Sequence, residues 1–203
     1  MQENQARKNF YNTDIVLPSE IPERGISVPM ISRSPMDMPV EGFAQALDRR
    51  EQNRKALLQW IQSNLTQGVD FGRIHVFGKD KCNFARDGRP QQCDIAHHWS
   101  KPSLWKPGAE KICGMLGLVV RYPNLGEYEH KGLRGNDLKV VLLRCELHTT
   151  SGFIAAEGTG ARRIGQDYGD INKSLKMAEK SAHIDATLRV AGISEIFTQD
   201  LED

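Results

Sequence analysis

Apolar residues recur three and four residues apart in two long segments of the chain. Residues 43–66, FAQALDRREQNRKALLQWIQSNLT, combine this spacing with good helix formers, and residues 171–192, INKSLKMAEKSAHIDATLRVAG, show the same spacing. A shorter helix is expected in KPGAEKICGMLGL, where Pro107 stands early and Gly117 near the end. The pattern therefore predicts two long amphipathic helices with a short one between them.

Three segments between the short helix and the last helix have the composition of β-strands. They are VVRYPNLGEYEH, LKVVLLRCELHT and GFIAAEGTGAR, and the turn signals KGLRGND and TSG separate them. The middle segment alternates apolar and polar residues, and GVDFGRIHVFG further upstream predicts a turn into a short strand. This order of elements predicts an α+β fold in which helices pack on one face of a curved antiparallel sheet.

The ends of the chain differ from its middle. Residues 1–42 hold five of the nine prolines and no apolar period, which predicts a flexible arm. Residues 43–194 form the predicted core, with a polar excursion over 79–100, and residues 195–203 form an acidic tail. No run of about 18 apolar residues and no leader pattern is present, so we expect a soluble, cytoplasmic protein with no membrane partner. The four cysteines are then expected to be reduced thiols.

Positive charge is concentrated in the middle of the chain, although the net charge is only +1. It amounts to +5 over residues 43–118 and +2 over 119–189, against −2 over 1–42 and −4 over 190–203. A small net charge alone argues against binding to nucleic acid, but the uneven distribution leaves a basic surface available.

Five polar residues of the last predicted helix lie along one line between two apolar strips, and we call them the basic row. They are Lys173, Lys176, Lys180, His183 and Thr187. Steps of three or four residues keep their side chains on one face over about 20 Å of helix. Such a row is either an ordinary solvated face or a run of charge that follows the phosphates of a single strand. Composition leaves both interpretations open.

The same helix and the residues after it carry a resemblance to a known family. INKSLKMAEKSAHIDATLRVAGISEIFTQDLED resembles the end of phage and plasmid single-strand annealing proteins of the Rad-fifty-two family, in its Asn, its LKMA-K and A-x-x-D-A-x-L-R cores and its final FTQDLE. GVDFGRI and KPSLWKPGAEKICGMLGL are similar to the same family's G-V-x-Y-G-x-I turn and KP-x-L-x-KPGAEKL helix. The resemblance extends over roughly residues 45–203.

The resemblance implies a β-β-β-α annealing core that assembles into a ring or an open helical homo-oligomer. Such a protein binds single-stranded DNA in a groove around the outside and pairs complementary strands without ATP in recombination and repair. The sequence has no GxxxxGK[ST] phosphate loop and no nucleophile with a neighbouring base, so no enzymatic activity is expected. The implied setting is a phage or other mobile element in a bacterial host, with the protein at the nucleoid and a nuclease or single-strand-binding protein as candidate partners.

The resemblance also indicates residues that bind DNA. The basic ones are Lys173, Lys176, Lys180, Arg189, Arg162 and Arg163. Paired arginines can each hold a phosphate through two hydrogen bonds, and Gly158 and Gly160 would let the backbone approach one closely. Tyr168 is the aromatic residue expected to touch a sugar or a base. The alternatives are that the arginines lie in an exposed turn without a partner and that Tyr168 packs on the start of the helix.

The polar excursion departs from the shorter members of the family, and two interpretations of it stay open. One is a tetrahedral zinc site, although the spacing is not that of a standard finger or ribbon. Its ligands would be Cys82, Cys93, His97 and His98. The other is a basic hairpin that forms a second wall of the groove or contacts duplex DNA. Its basic residues are Lys79, Lys81, Arg86 and Arg89.

Two rival functions also stay open. One is a protein that coats single strands or DNA ends without annealing them, and the other is a metal-stabilised scaffold whose charges are only solvated. The carboxylates lack the paired spacing of a two-metal nuclease, and Asp185 is expected to pair with backbone or an arginine. The acidic tail, with Phe197 and Leu201, is expected to be solvated, to dock on another subunit or a partner, or to compete with DNA for the basic row.

Overall fold

The structure is a computed structural model that describes residues 37–78, 80–134 and 138–198. Most of the predicted arm lies outside these residues, and so does Lys79 of the polar excursion. Contacts divide the chain into one unit that ends at Glu51 and a second that begins at Gln52. The packing described below belongs to the second unit. None of the helices in the described ranges is both long and apolar enough to cross a membrane.

The described residues form a mixed α+β structure, with α2, β2 and α4 in addition to the predicted elements. The helices are α1 (Val40–Asn64), α2 (Asn83–Arg86), α3 (Lys106–Met115), α4 (Leu125–Leu133) and α5 (Ile171–Ala191). The strands are β1 (Phe71–Gly72), β2 (Ser103–Leu104), β3 (Val119–Arg121), β4 (Val140–His148) and β5 (Ile154–Arg163). Short 3₁₀ turns cover Pro90–Gln92, Ala96–His98 and Ile164–Asp167. β1 and β2 form a two-stranded antiparallel ribbon, and β3, β4 and β5 form an antiparallel sheet in that order. The α+β class is confirmed.

Helix α5 lies on the face of the sheet that β4 and β5 form. Every second side chain of β4 is fully buried on this face, as its alternating sequence predicts. These residues are Val141, Leu143, Cys145 and Leu147. They pack against Ala178, Ala182 and Ala186 of α5, which are fully buried as well. Removal of this apolar surface from water is the main favourable contribution to the packing of the core.

Two glycines of β5 allow the strand and the helix to approach backbone to backbone. Gly158 and Gly160 are buried, and a Cβ atom added at Gly158 would overlap the backbone N of Ala186 and the carbonyl O of Ala182. A Cβ atom at Gly160 would overlap the carbonyl O of Ala178. The prediction that these glycines admit a phosphate is therefore wrong, because α5 occupies the space beside them.

The segment predicted as the first strand of the meander divides into a short strand and a helix. β3 ends at Arg121, and Pro123 cannot donate a hydrogen bond to a neighbouring strand. From Leu125 onward the chain is helical, and Leu125 and Tyr128, three residues apart, pack against Val141 and its neighbours. The predicted strand over the LGEYEH stretch is therefore wrong.

Helix α4 covers the edge of β4 that β3 leaves free. The Tyr128 hydroxyl accepts from the N–H of Leu142 and donates to its carbonyl, both at 2.8 Å. The Asn124 amide donates to the same carbonyl at 2.9 Å and accepts from the N–H of Arg144 at 3.0 Å. Side chains thus replace the missing strand, and these backbone groups of β4 keep hydrogen-bond partners.

A second apolar cluster joins the end of α1, α3 and the last turns of α5. Its buried members are Ile61, Leu65, Leu104, Ala109, Ile112, Ile184, Leu188, Ala191, Ile193 and Phe197. Phe197 is 3% exposed, and its ring centroid lies 5.3 Å from that of Phe71. Glu195 accepts a hydrogen bond from Arg54 at 2.6 Å. The start of the predicted tail therefore packs on its own chain, and residues 199–203 lie outside the described part.

A buried carboxylate fixes the base of the β1–β2 ribbon. Asp70 is fully buried and accepts hydrogen bonds from the N–H of Thr66 at 2.8 Å and from the Lys111 ammonium at 2.6 Å. Its carbonyl accepts from the N–H of Trp105 at 2.9 Å. Asp70 thereby ties the end of α1, both strands of the ribbon and α3 to one another.

We expect Gly158→Ala to destabilise the fold, because the added methyl group meets backbone atoms of α5 that cannot rotate away. Overpacking of this kind costs about 1–3 kcal/mol, and an obstacle made of backbone places the change at the upper end. Urea denaturation followed by circular dichroism measures it. Gly165→Ala is the matched control, since nothing lies within 4 Å of a Cβ atom there. Equal stability of the two variants would contradict the close strand–helix contact.

Candidate nucleic-acid interface and Cys/His cluster

The basic row of α5 is exposed only over its first half. Lys173 and Lys176 are exposed, and Lys180 is half-buried. His183 and Thr187, in contrast, are 2% and 0% exposed. The expectation of one solvent-facing row over about 20 Å is therefore wrong, and the basic part extends over two helical turns, about 10 Å.

Helix α3 covers the second half of the row. The Cys113 sulfur lies 3.4 Å from Nε2 of His183 and 3.3 Å from the hydroxyl of Thr187, which donates to the His183 carbonyl at 2.8 Å. Burial raises the pKa of the Cys113 thiol and lowers the pKa of the His183 imidazole. Both groups are thus held neutral, and the pair is a packing contact rather than an activated nucleophile.

A second buried carboxylate joins the end of β5 to the start of α5. Asp167 is 2% exposed, and the Arg162 guanidinium donates to its two oxygens at 2.8 and 2.9 Å. The Ser174 hydroxyl donates at 2.9 Å, and the Lys173 ammonium lies 3.4 Å away. The hydrogen bonds from Arg162, joined by those from Ser174 and Lys173, hold the pKa of Asp167 well below its usual range. Arg162, a predicted phosphate ligand, is therefore engaged within the chain.

Four residues at this junction present charge or an aromatic ring to solvent, and we call Arg163, Tyr168, Lys173 and Lys176 the β5–α5 corner. Tyr168 is 98% exposed, so the interpretation that it packs on the helix start is wrong. Its φ of 56° lies in the left-handed region, which is uncommon for a bulky residue. Arg163 and Lys176 are exposed, and no ion pair among residues 37–78, 80–134 and 138–198 includes either of them.

Arg189 lies farther along α5 and has a carboxylate partner. Its Nε donates to one oxygen of Asp185 at 2.9 Å, and the N–H of Thr159 donates to the other at 2.9 Å. The prediction that Asp185 pairs with backbone or an arginine is confirmed. The charge of Arg189 is thus partly compensated, although its side chain is 63% exposed.

The polar excursion extends from the β1–β2 ribbon, and we call its described residues, 73–78 and 80–100, the lobe. Its two ends stay paired beyond the ribbon, since a bridge joins His75 to Trp99 and the N–H of Val76 donates to the carbonyl of His98 at 2.8 Å. This pairing brings side chains from the beginning and the end of the lobe together.

Four side chains with metal-binding atoms converge where the ends of the lobe meet. They are His75, Cys82, Cys93 and His98, and their donor atoms all lie within 4.8 Å of one another. The two sulfurs are 3.9 Å apart, and the Cys93 sulfur lies 3.3 Å from Nδ1 of His98. His75 is half-buried and the other three are buried. Burial raises the pKa of the Cys93 thiol, and burial together with nearby His97 and His75 lowers the pKa of His98.

Three of the four predicted zinc ligands, Cys82, Cys93 and His98, therefore lie together. The fourth member of the cluster is His75 rather than the predicted His97. His97 is exposed, and its ring stands at 87° to that of His98 within the same 3₁₀ turn. Adjacent residues of a turn point to different sides, so only one of them can face the cysteines. His75 escaped prediction because it sits in GRIHVFG, which has strand composition, seven residues ahead of Cys82.

The basic residues predicted in the lobe are exposed, but they do not lie on a hairpin. Lys81 precedes α2, Arg86 ends it and donates to Asn83 at 2.8 Å, and Arg89 pairs with Asp87 at 3.2 Å. Instead of two strands, α2 and two 3₁₀ turns form this part of the lobe. Lys79 lies outside the described residues.

We expect the stabilisation that Asp167 provides to disappear in acid. Its pKa in the folded state lies below the unfolded value of about 3.9, so the contribution is complete above that value and is lost as the pH falls toward the folded pKa. Asp167→Asn should therefore lower the free energy of unfolding near neutral pH, and the difference from the wild type should shrink between about pH 5 and about pH 2. Asp87→Asn, which removes an exposed carboxylate, serves as the control. A difference that does not vary with pH would contradict the assignment.

Comparisons with known proteins identify no relative of the chain. No family model, no curated protein and no solved structure matches the chain. The fold class is therefore established by the structure itself, and the resemblance to the annealing family remains a matter of the motifs quoted above.

Proposed function

We propose that the protein binds single-stranded DNA and anneals complementary strands without ATP, in recombination or repair. The observation that carries the proposal is the β5–α5 corner at the start of α5. There Arg163 and Lys176 have no ion pair among the described residues, Lys173 is exposed although it lies 3.4 Å from Asp167, and Tyr168 is 98% exposed. The sheet of β3, β4 and β5 followed by the long helix α5 supports the proposal, because the resemblance implies a β-β-β-α core, although α4 separates β3 from β4 in this chain. The proposed activity is inferred from the resemblance, and the corner is a surface suited to that activity.

Annealing requires a site that holds the backbone and leaves the base edges free to pair. Lys173 and Lys176 lie about one turn apart on α5 and, with Arg163, would contact successive phosphates and release counterions. The exposed ring of Tyr168 would stack on a base or a sugar, and such stacking does not depend on the base sequence of the DNA. We propose that Lys180 extends this contact, that Arg189 lies at its far end, and that Arg162 acts by positioning the corner through Asp167.

We propose in addition that several copies of the chain assemble on one strand, because a basic surface of about two turns contacts few phosphates. The sheet face opposite α5 is suited to contact between copies. Val140, Leu142 and Ile154 are 47%, 52% and 51% exposed there, and β5 forms an edge of the sheet among the described residues. These apolar side chains share the face with charged ones, Arg144 and Glu157 among them, and a face of this mixed kind beside a sheet edge is suited to contact with another chain.

The cluster in the lobe has a supporting part in this proposal. We propose that it holds a structural zinc ion and that the ion takes no direct part in pairing the strands. The exposed basic residues of the lobe, Lys81, Arg86 and Arg89, remain a predicted second contact with DNA.

We expect Lys176→Glu combined with Lys180→Glu to weaken single-strand binding steeply and to abolish annealing. Loss of about two phosphate contacts per chain should reduce the slope of log affinity against log salt by about 1.4. Fluorescence anisotropy with a labelled oligonucleotide over a salt series gives the slope. Pairing of two complementary labelled oligonucleotides without ATP gives the annealing rate on the same samples.

Lys131→Glu combined with Arg134→Glu is the matched control, because it makes the same change in charge at exposed positions of α4 and its C-cap. Equal losses in both double variants would indicate an effect of net charge alone. Unchanged binding in Lys176→Glu with Lys180→Glu would exclude this stretch of α5 from the interface and contradict the proposal. Tight binding by the wild type with no faster pairing would favour a protein that coats single strands without annealing them.

A further inference from the structure

We infer that the lobe folds around one zinc ion held by His75, Cys82, Cys93 and His98 in a closed, four-coordinate site. The inference deepens the supporting role proposed above, but it depends on the lobe alone and not on DNA binding. It assigns the fourth ligand to His75, ahead of the polar excursion, and makes the metal a requirement for the structure of the lobe.

The two donor-atom distances that involve the Cys93 sulfur suit tetrahedral zinc. Zinc–sulfur bonds of about 2.3 Å and zinc–nitrogen bonds of about 2.0 Å place two sulfurs roughly 3.8 Å apart and a sulfur and a nitrogen roughly 3.5 Å apart. The Cys82 and Cys93 sulfurs are 3.9 Å apart, and the Cys93 sulfur is 3.3 Å from Nδ1 of His98. Two thiolates with two imidazoles are a donor set that zinc prefers, and four protein ligands leave no position for a substrate.

The Nε2 atom of His75 gives independent support for a ligand. It is buried and has no hydrogen-bond partner among the described residues. A buried polar atom without a partner is costly, and such atoms are rare in native proteins. A metal ion in the cluster would satisfy this atom, whereas His97 is exposed and needs no such partner.

The lobe has little else to hold it together. None of the three apolar clusters of the described residues includes a residue between 73 and 100. Among the described residues of the lobe, the buried ones are Cys82, Cys93, His98 and Ser100, each 5–8% exposed. Around the cluster, Phe77 stacks on His98 with ring centroids 4.2 Å apart, and the Trp99 indole donates to the Cys93 carbonyl at 3.0 Å. A segment of this size without an apolar core typically depends on a metal or a disulfide, and the cysteines here are free.

The test measures zinc in the purified full-length protein by elemental mass spectrometry, without DNA. We expect about one zinc per chain in the wild type and in His97→Ala, and loss of the metal in His75→Ala and in Cys93→Ser. His97→Ala is the matched control, because it removes a neighbouring imidazole that lies outside the cluster. Cobalt(II) added to metal-free wild type should give the visible absorption of a tetrahedral site with thiolate ligands.

Hydrogen exchange on the same samples tests the effect on folding. Removal of zinc with a chelator should expose the backbone amides of the lobe to exchange and leave those of β4, β5 and α5 protected. This pattern also shows that a variant without metal keeps its core. Wild type that takes up neither zinc nor cobalt, or zinc lost in His97→Ala but kept in His75→Ala, would overturn the site. Zinc binding without a change in exchange of the lobe would overturn its role in folding.

Discussion

The contact between Gly158 and Gly160 of β5 and the alanines of α5 determines the geometry of the core. Strand and helix touch through backbone atoms, so the helix cannot rotate or slide without a collision. This fixes which residues of α5 face the sheet, and with them which residues face α3 and which face water. The small side chains that permit the contact contribute little apolar area themselves, but they allow Val141, Leu143 and Leu147 to be fully buried beside them.

The surface proposed to bind DNA follows from that fixed rotation. The same helical line that carries Lys173 and Lys176 into solvent carries His183 and Thr187 under α3, because the helix runs beneath a neighbour along its second half. Asp167 then holds Arg162 and the first turn of α5 in place, so that Arg163 and Tyr168 stand at a defined corner. One arginine of the pair thus contributes structure, and its neighbour is left with an exposed guanidinium.

The sequence was sufficient to predict the helices and strands that are determined by the pattern of their own residues. The periodicity of α1, α3 and α5 and the alternation of β4 predicted their type and approximate bounds, and the N-terminal side of the basic row was predicted correctly as exposed. The predictions were wrong where a contact with a residue distant in the sequence determines the structure. Nothing local shows that α3 covers His183, that the glycines of β5 meet a helix, or that His75 pairs across from Trp99 and so reaches the cysteines. Helix α4 was not predicted because Gly126 and Gly132 weaken its helical pattern. The residues that precede it, Val119–Arg121, have strand composition and do form a strand.

The lobe and the core meet through a base that does not depend on the metal cluster. Asp70 ties the ribbon to α1 and α3, and Gly108 of α3 lies so close to the Asp70 carbonyl that a side chain there would collide with it. Ribbon and α3 are therefore anchored rigidly on the same apolar cluster that receives Phe197. Beyond the ribbon this apolar support ends among the described residues, and in the zinc site proposed above the four side chains would take over the role of a core. Because the apolar cluster and the proposed zinc site lie on opposite sides of Asp70, we expect the lobe to lose its order without zinc while the core of sheet and helices keeps its fold.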